Sequence, residues 1–158
     1  MGRKYTVVMT PAARTTSFDF FEILGSADKV QKLIGFDLCQ TTEFGDAQEE
    51  QLEVTVVRAT GSITSGSGGT TPTANPVVPG DAAFGGSVEA GNTTRLLVGS
   101  GTLTQLGQYT WNVRAPFEKW YPPGFEPQWN GATRMVIGVP TTPADSITVG
   151  GTAYIEEE

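Results

Sequence analysis

Apolar and polar residues alternate with a period of two along most of this chain, the spacing of strands half-buried on one face rather than of helices. Tyr5, Val7 and Met9 alternate with Thr6, Val8 and Thr10, which predicts a first strand ending at Pro11. Phe18 to Leu24 predicts a second, closed by the turn Gly25-Ser26-Ala27-Asp28, and Lys32 to Thr41 a third with Ile34, Phe36 and Leu38 on one face. Asp46-Ala47-Gln48-Glu49 carries a capping-box-like spacing that predicts one helical turn before the fourth strand, Leu52 to Arg58. Further strands are expected over Ser87 to Ala90, Arg95 to Leu103, Gln108 to Ala115, Ala132 to Val139, Asp145 to Val149 and Thr152 to Ile155, with Gly150-Gly151 as a two-residue hairpin turn.

The alternation stops between Gly61 and Gly80, where fifteen of twenty residues are Gly, Ser, Thr or Pro. Apolar surface there is too scarce to offset the entropy of fixing the backbone, so the segment predicts a long surface loop, anchored in its second half at Asn75 to Pro79. The expected architecture is all-β: a two-sheet, jelly-roll-like β-sandwich of nine or ten short strands. It forms a single domain over residues 1–158, with an N-terminal arm at 1–4, an extended surface loop at 61–80 and a solvated acidic tail at 156–158.

Composition narrows the function classes. The net charge is −7, and the ten Lys and Arg are scattered rather than gathered in a stripe, so a nucleic acid partner is not expected. No apolar run approaches the ~20 residues of a membrane span, and the start, with Arg3-Lys4 ahead of a short apolar run and Pro11, does not read as a signal peptide. A soluble protein made in a cytosol is the expectation. Cys39 is the only cysteine, which excludes an intrachain disulfide and predicts a buried or half-buried thiol.

Catalysis has little to draw on: there is no histidine, and a lone thiol has no imidazole to activate it. Asp46, Glu49 and Glu50 cluster as two-acid hydrolase candidates, and capping and solvation of a helical turn is their plainer role. Gly66-Ser67-Gly68-Gly69 lacks the Lys of a phosphate loop, and no calcium-loop spacing occurs, so neither a cofactor nor a metal is expected. Asn92-Thr93-Thr94 has the form of a glycosylation acceptor and reads as a turn.

An aromatic, proline-rich segment stands out, with Phe117, Trp120, Tyr121, Phe125 and Trp129 among Pro116, Pro122, Pro123 and Pro127. Three roles fit it: a lid packed on the core, a subunit interface, or a set of rings on which sugars stack. Trp111 joins Trp120, Tyr121 and Trp129 in the last.

The block Gln40 to Arg58, containing Phe44-Gly45-Asp46-Ala47-Gln48-Glu49-Glu50, followed by Thr64-Ser65-Gly66-Ser67-Gly68-Gly69 and Thr71-Pro72, resembles small virion proteins of tailed bacteriophages, similar to head-decoration or cement proteins. The resemblance covers about a quarter of the chain closely. It implies a β-sandwich homotrimer that sits on the capsid exterior, with the major capsid protein as partner. Candidate capsid contacts are then Arg3, Lys4, Ser65, Gly66, Ser67, Gly68, Gly69 and Thr70. Candidate trimer-seam residues are Phe117, Trp120, Tyr121, Phe125 and Trp129. A carbohydrate- or receptor-binding module of a head fibre or tail is the alternative.

Overall fold

The computed structural model describes residues 2–42 and 50–158. In chain order the strands are β1 (Arg3–Arg14), β2 (Phe18–Leu24), β3 (Val30–Gln40), β4 (Gln51–Thr60), β5 (Ile63–Thr64), β6 (Asn75–Pro76), β7 (Ser87–Asn92), β8 (Leu97–Val98), β9 (Thr102–Asn112), β10 (Phe117–Trp120), β11 (Gln128–Asn130), β12 (Arg134–Val139) and β13 (Ile147–Glu157). Sheet A runs β10-β3-β13-β1-β6, with β11 sharing the edge of β3 that β10 occupies, and sheet B runs β7-β2-β12-β4-β9. Every pairing is antiparallel.

Taking β10 and β11 as one strand broken by its prolines, the long strands pair first with last (β1 and β13), second with seventh (β2 and β12), third with sixth (β3 and β10) and fourth with fifth (β4 and β9). That nested pairing is a long hairpin wrapped into two sheets, the jelly roll expected above. Between the sheets lies one apolar core: Tyr5, Val7 and Met9 of β1, Phe36 and Leu38 of β3, Ile147 to Ile155 of β13, and across from them Phe18, Phe20, Phe21 and Ile23 of β2, Leu52, Val54 and Val56 of β4, and Trp111. Burying each of the larger side chains contributes about 1.5–3 kcal/mol.

Four expectations need correction. First, β1 continues through Pro11 to Arg14, because its register with β13 jumps between Met9 and Ala12 and the proline sits in that bulge, where no ladder N–H is required. Second, Gly150-Gly151 is no hairpin but the middle of β13, opposite the bulge. A Cβ on Gly150 would stand 2.9 Å from the Met9 carbonyl oxygen and 3.2 Å from Pro11 Cγ. The glycines let one strand pass the irregularity in its neighbour.

Third, the stretch around 95–115 forms β8 and the single long β9 rather than strands at 95–103 and 108–115. Fourth, neither terminus is loose. Arg3 and Lys4 lie in β1 opposite Glu157 and Glu156, so residues 1–4 are not a free arm as far as they are described. Glu157 is only 2% exposed. Its carboxylate accepts bonds from Lys29 Nζ at 2.7 Å, from the Gly85 N–H at 2.9 Å and from Gln31 Nε2 at 3.4 Å. The predicted helical turn at 46–49 lies outside the described residues.

Burial pushes the Glu157 carboxyl up, but Lys29 and the Gly85 N–H outweigh it and hold the group below the usual range. A depressed folded-state value adds stability that is complete above the unfolded-state value near 4.3 and is lost as pH falls through the folded one. Glu157→Gln should therefore cost about 1.5–3 kcal/mol at neutral pH and progressively less in acid. Urea unfolding at pH 7 and pH 3 measures both values, and an equal cost at the two would contradict this role.

Candidate functional site

The glycine-rich stretch is where the structure departs most from expectation. It is no free loop: its first part, together with residues 93–98, folds over the outer face of sheet B, while β6 runs at the edge of sheet A and β7 at the edge of sheet B. β5 pairs with β8, Ser67 bridges Thr94, Thr70 bridges Ala90 and β6 pairs with β1. Ile63, Leu96 and Val98 pack on Ala59, Val57 and Val136 to make a second, smaller core.

The sequence signal for this cover lies in β2, where Asp19 and Glu22 interrupt an otherwise apolar run. Both are 1% exposed. A strand buried on both faces must have something lying on its outer side, and its acids then need partners. Glu22 Oε1 accepts from Ser65 Oγ at 2.7 Å and from Arg134, and Oε2 accepts from the Gly66 N–H at 2.9 Å and Asn92 Nδ2 at 3.2 Å. Glu89, directly across the strand pair from Glu22, accepts from the same Asn92 amide at 2.9 Å. Asp19 is held by Arg95 Nε and the Leu96 N–H, both at 2.8 Å. Burial still pushes its carboxyl above the usual range, so its ionisation opposes folding as pH rises through that value.

Of the predicted capsid contacts, Ser65 and Gly66 are thus consumed in an internal clamp, whereas Ser67, Gly68, Gly69 and Thr70 are exposed above it. Arg3 and Lys4 are exposed on β1, remote in the chain from that loop. Of the acids weighed for hydrolysis, Asp46 and Glu49 lie outside the described residues, and Glu50 Oε1 accepts the Ala144 N–H at 2.6 Å. The Glu22–Glu89 pair, which the sequence did not flag, has each Glu22 oxygen bonded to two donors. Its geometry is that of a structural fastener.

The aromatic segment divides between inside and outside. β10 and β11 lie along the free edge of β3, where proline is tolerated. Phe117 and Tyr121 pack against the core, Tyr121 with its hydroxyl 3.3 Å from that of Tyr109. Trp111 and Trp129 are buried, Trp129 at 3% exposure, and neither offers a ring to a ligand. Trp120 and Phe125 remain outside, 51% and 78% exposed.

Trp120 has a built seat on the outer face of sheet A. It stands opposite Gly35, and a Cβ there would come within 2.6 Å of the Lys119 carbonyl oxygen and 2.7 Å of Trp120 Cε3, so the missing side chain is what lets the indole lie down. Its ring is 4.6 Å from that of Tyr154. The Tyr154 hydroxyl donates to Asp37 Oδ2 at 2.8 Å, which raises the phenol's pKa and fixes its ring. Val8, Glu118 and Thr152 continue this face along neighbouring register positions. Tyr154, Asp37 and Gly35 were not singled out by sequence. Only the strand register brings them beside Trp120.

Two outcomes follow from this arrangement. Glu22→Ala should cost about 3–5 kcal/mol, because it strands Arg134 and the Gly66 N–H, and should open residues 61–101 to limited proteolysis before global unfolding. Gly35→Ala should lift Trp120 off its seat. The acrylamide-quenchable share of tryptophan emission, which Trp120 dominates while Trp111 and Trp129 stay buried, would then rise, and an unchanged quenching profile would refute the seat. Set beside known protein families, curated proteins and solved structures, the chain finds no match in any of the three.

Proposed function

We propose that this chain is a non-enzymatic structural protein of a tailed-phage virion, decorating the capsid exterior as a homotrimer. The observation that supports this most is the outer face of sheet A, which presents exposed Trp120 and Val8 with Phe125 at its aromatic edge, whereas the excursion covers the β12 side of sheet B's outer face and leaves Leu103 on β9 exposed. Fixed, exposed aromatic side chains on a rigid sheet are what interfaces draw on for energy. Together with the resemblance of the Gln40 to Arg58 block and the glycine-rich run to head-decoration proteins, this makes recognition by surface the favoured reading. Three linked copies turn a weak single contact into a strong one, since the second and third engagements are effectively intramolecular.

Within this reading, Trp120 and Phe125 are the seam residues, since Phe117, Tyr121 and Trp129 are spent on the protomer's own core. Arg3, Lys4 and the exposed stretch Ser67 to Thr70 are the capsid contacts. A second reading has its own support: an indole seated on a tyrosine beside a carboxylate is a platform for a pyranose ring, which favours a glycan- or receptor-binding module.

A trimer has a mass of about 50 kDa, three times the 16.7 kDa chain. Light scattering should find that unit or a whole multiple of it, and Trp120→Ala should break the three-copy unit. On purified heads, Arg3→Ala with Lys4→Ala should lower occupancy about tenfold or more. A trimer that survives Trp120→Ala removes that residue from the seam, and glycan-dependent quenching of Trp120 without head binding would move the assignment to the second reading.

A further inference from the structure

The four sheet edges are not alike. In sheet A, the β10-β11 edge carries Glu118 and Lys119 and is interrupted by Pro122, Pro123 and Pro127, and the β6 edge is two residues long and ends in Pro76. In sheet B, the β7 edge is bridged by Thr70. Such blunting is how sheets avoid pairing with other chains.

β9 has none of these guards apart from one bulge. It is 11 residues long, about 37 Å at strand rise, and pairs with β4 along one side only among the described residues. Thr102 to Asn112 contains no charged residue and no proline, in a chain of net charge −7. A ladder of alternating N–H and C=O groups is matched in full by another strand. Two copies of this acidic chain repel each other over most of their surface, and β9 is an uncharged strip along which they can meet.

We infer that β9 is a two-fold strand-pairing edge, joining two copies of this chain through antiparallel β9–β9 contact so that their five-stranded sheets become one continuous sheet. The bulge sets the register. The ladder with β4 shifts between Val56 and Val57, where Leu106 is the extra residue, so outward side chains are Leu103 and Gln105 before it and Gln108 and Thr110 after it. Keeping like faces together across a two-fold axis places that axis between Leu106 and Gly107. Gln105 then faces the other copy's Gln108, and Leu103 faces its Thr110, with each contact made twice.

The register gives a charge test on two exposed positions, whose present side-chain bonds run from Gln105 to Gln108 at 3.1 Å and from Gln108 to Glu53 of β4 at 2.7 Å; a Lys at position 108 keeps a partner in Glu53 in both variants, so the difference between them reads the facing copy. Q105K/Q108K sets Lys against Lys at both places, whereas Q105E/Q108K sets Glu against Lys at both. Light scattering over a concentration series should show an even number of copies for the unaltered chain. Q105K/Q108K should halve the mass while the chain still unfolds cooperatively, with a Tm that no longer depends on the β9 contact, whereas Q105E/Q108K should keep the mass. Hydrogen exchange at Thr102 to Asn112 should accelerate only in the first variant. A mass independent of both variants, dissociation by both, or an odd number of copies in the unaltered chain overturns the inference, as does protection of β9 that appears only when a different protein is added.

The residual mass separates this inference from the trimer. A fall from about 100 to about 50 kDa would leave the trimer standing beside the strand pair, and a fall from about 33 to about 17 kDa would discard it. An unaltered 50 kDa particle in all three proteins would keep the trimer and reject the pairing.

Discussion

The fold's asymmetry rests on a buried carboxylate. Glu22 projects from the outer face of β2 and would be prohibitively expensive to bury alone. Its four donors come from three places: Ser65 and Gly66 in the excursion, Asn92 at the end of β7, and Arg134 at the start of β12. Two of the four donors belong to the glycine-rich stretch, which they fasten onto sheet B, where Leu96 and Ile63 find apolar company. A segment poor in apolar residues is thereby fixed by polar bonds. The consequence reaches the other side of the molecule, because the excursion touches sheet A only at its β1 edge, through β6, and leaves the outer face around Trp120 open.

Much of the sandwich was legible in the sequence. β2, β3, β4 and β12 lie close to where alternation put them, since a half-buried strand writes its period directly into the order of residues. The misreadings share a cause. Pro11 and the pair Gly150-Gly151 are turn signals when taken locally, yet each is explained by the other across β1 and β13, a partnership of residues far apart in the chain. Local rules have no term for a bulge in one strand that asks for a glycine in the next. The excursion at 61–80 was misjudged for a related reason: the entropy argument weighed its apolar content and had no way to see Glu22 as its partner.

The candidate surfaces were half legible. Composition marked the aromatic segment, but not which rings would turn inward. On β10, Phe117 and Lys119 face the core while Glu118 and Trp120 face out, as register with β3 decides. Lys119 then lies 5.1 Å from the Tyr121 ring centre and 5.4 Å from that of Tyr109, a cation kept under the edge by aromatic faces. Trp120 acquires its seat from Gly35 and Tyr154, residues that carry no signal until sheet A is assembled.

The pairing of β1 with β13 has a bearing on how the molecule comes into being. Arg3 finds its ladder partner in Glu157, so among the described residues β1 has only the two residues of β6 as strand partners until β13 is in place. Its apolar side, Tyr5, Val7 and Met9, must wait in the nascent chain until β13, far along the sequence, has been made. Closing so long a loop before any reward is collected makes for slow acquisition of structure. Crowding of unfinished chains during rapid production is therefore this fold's point of exposure, and holding factors that cover the first strand would govern its yield.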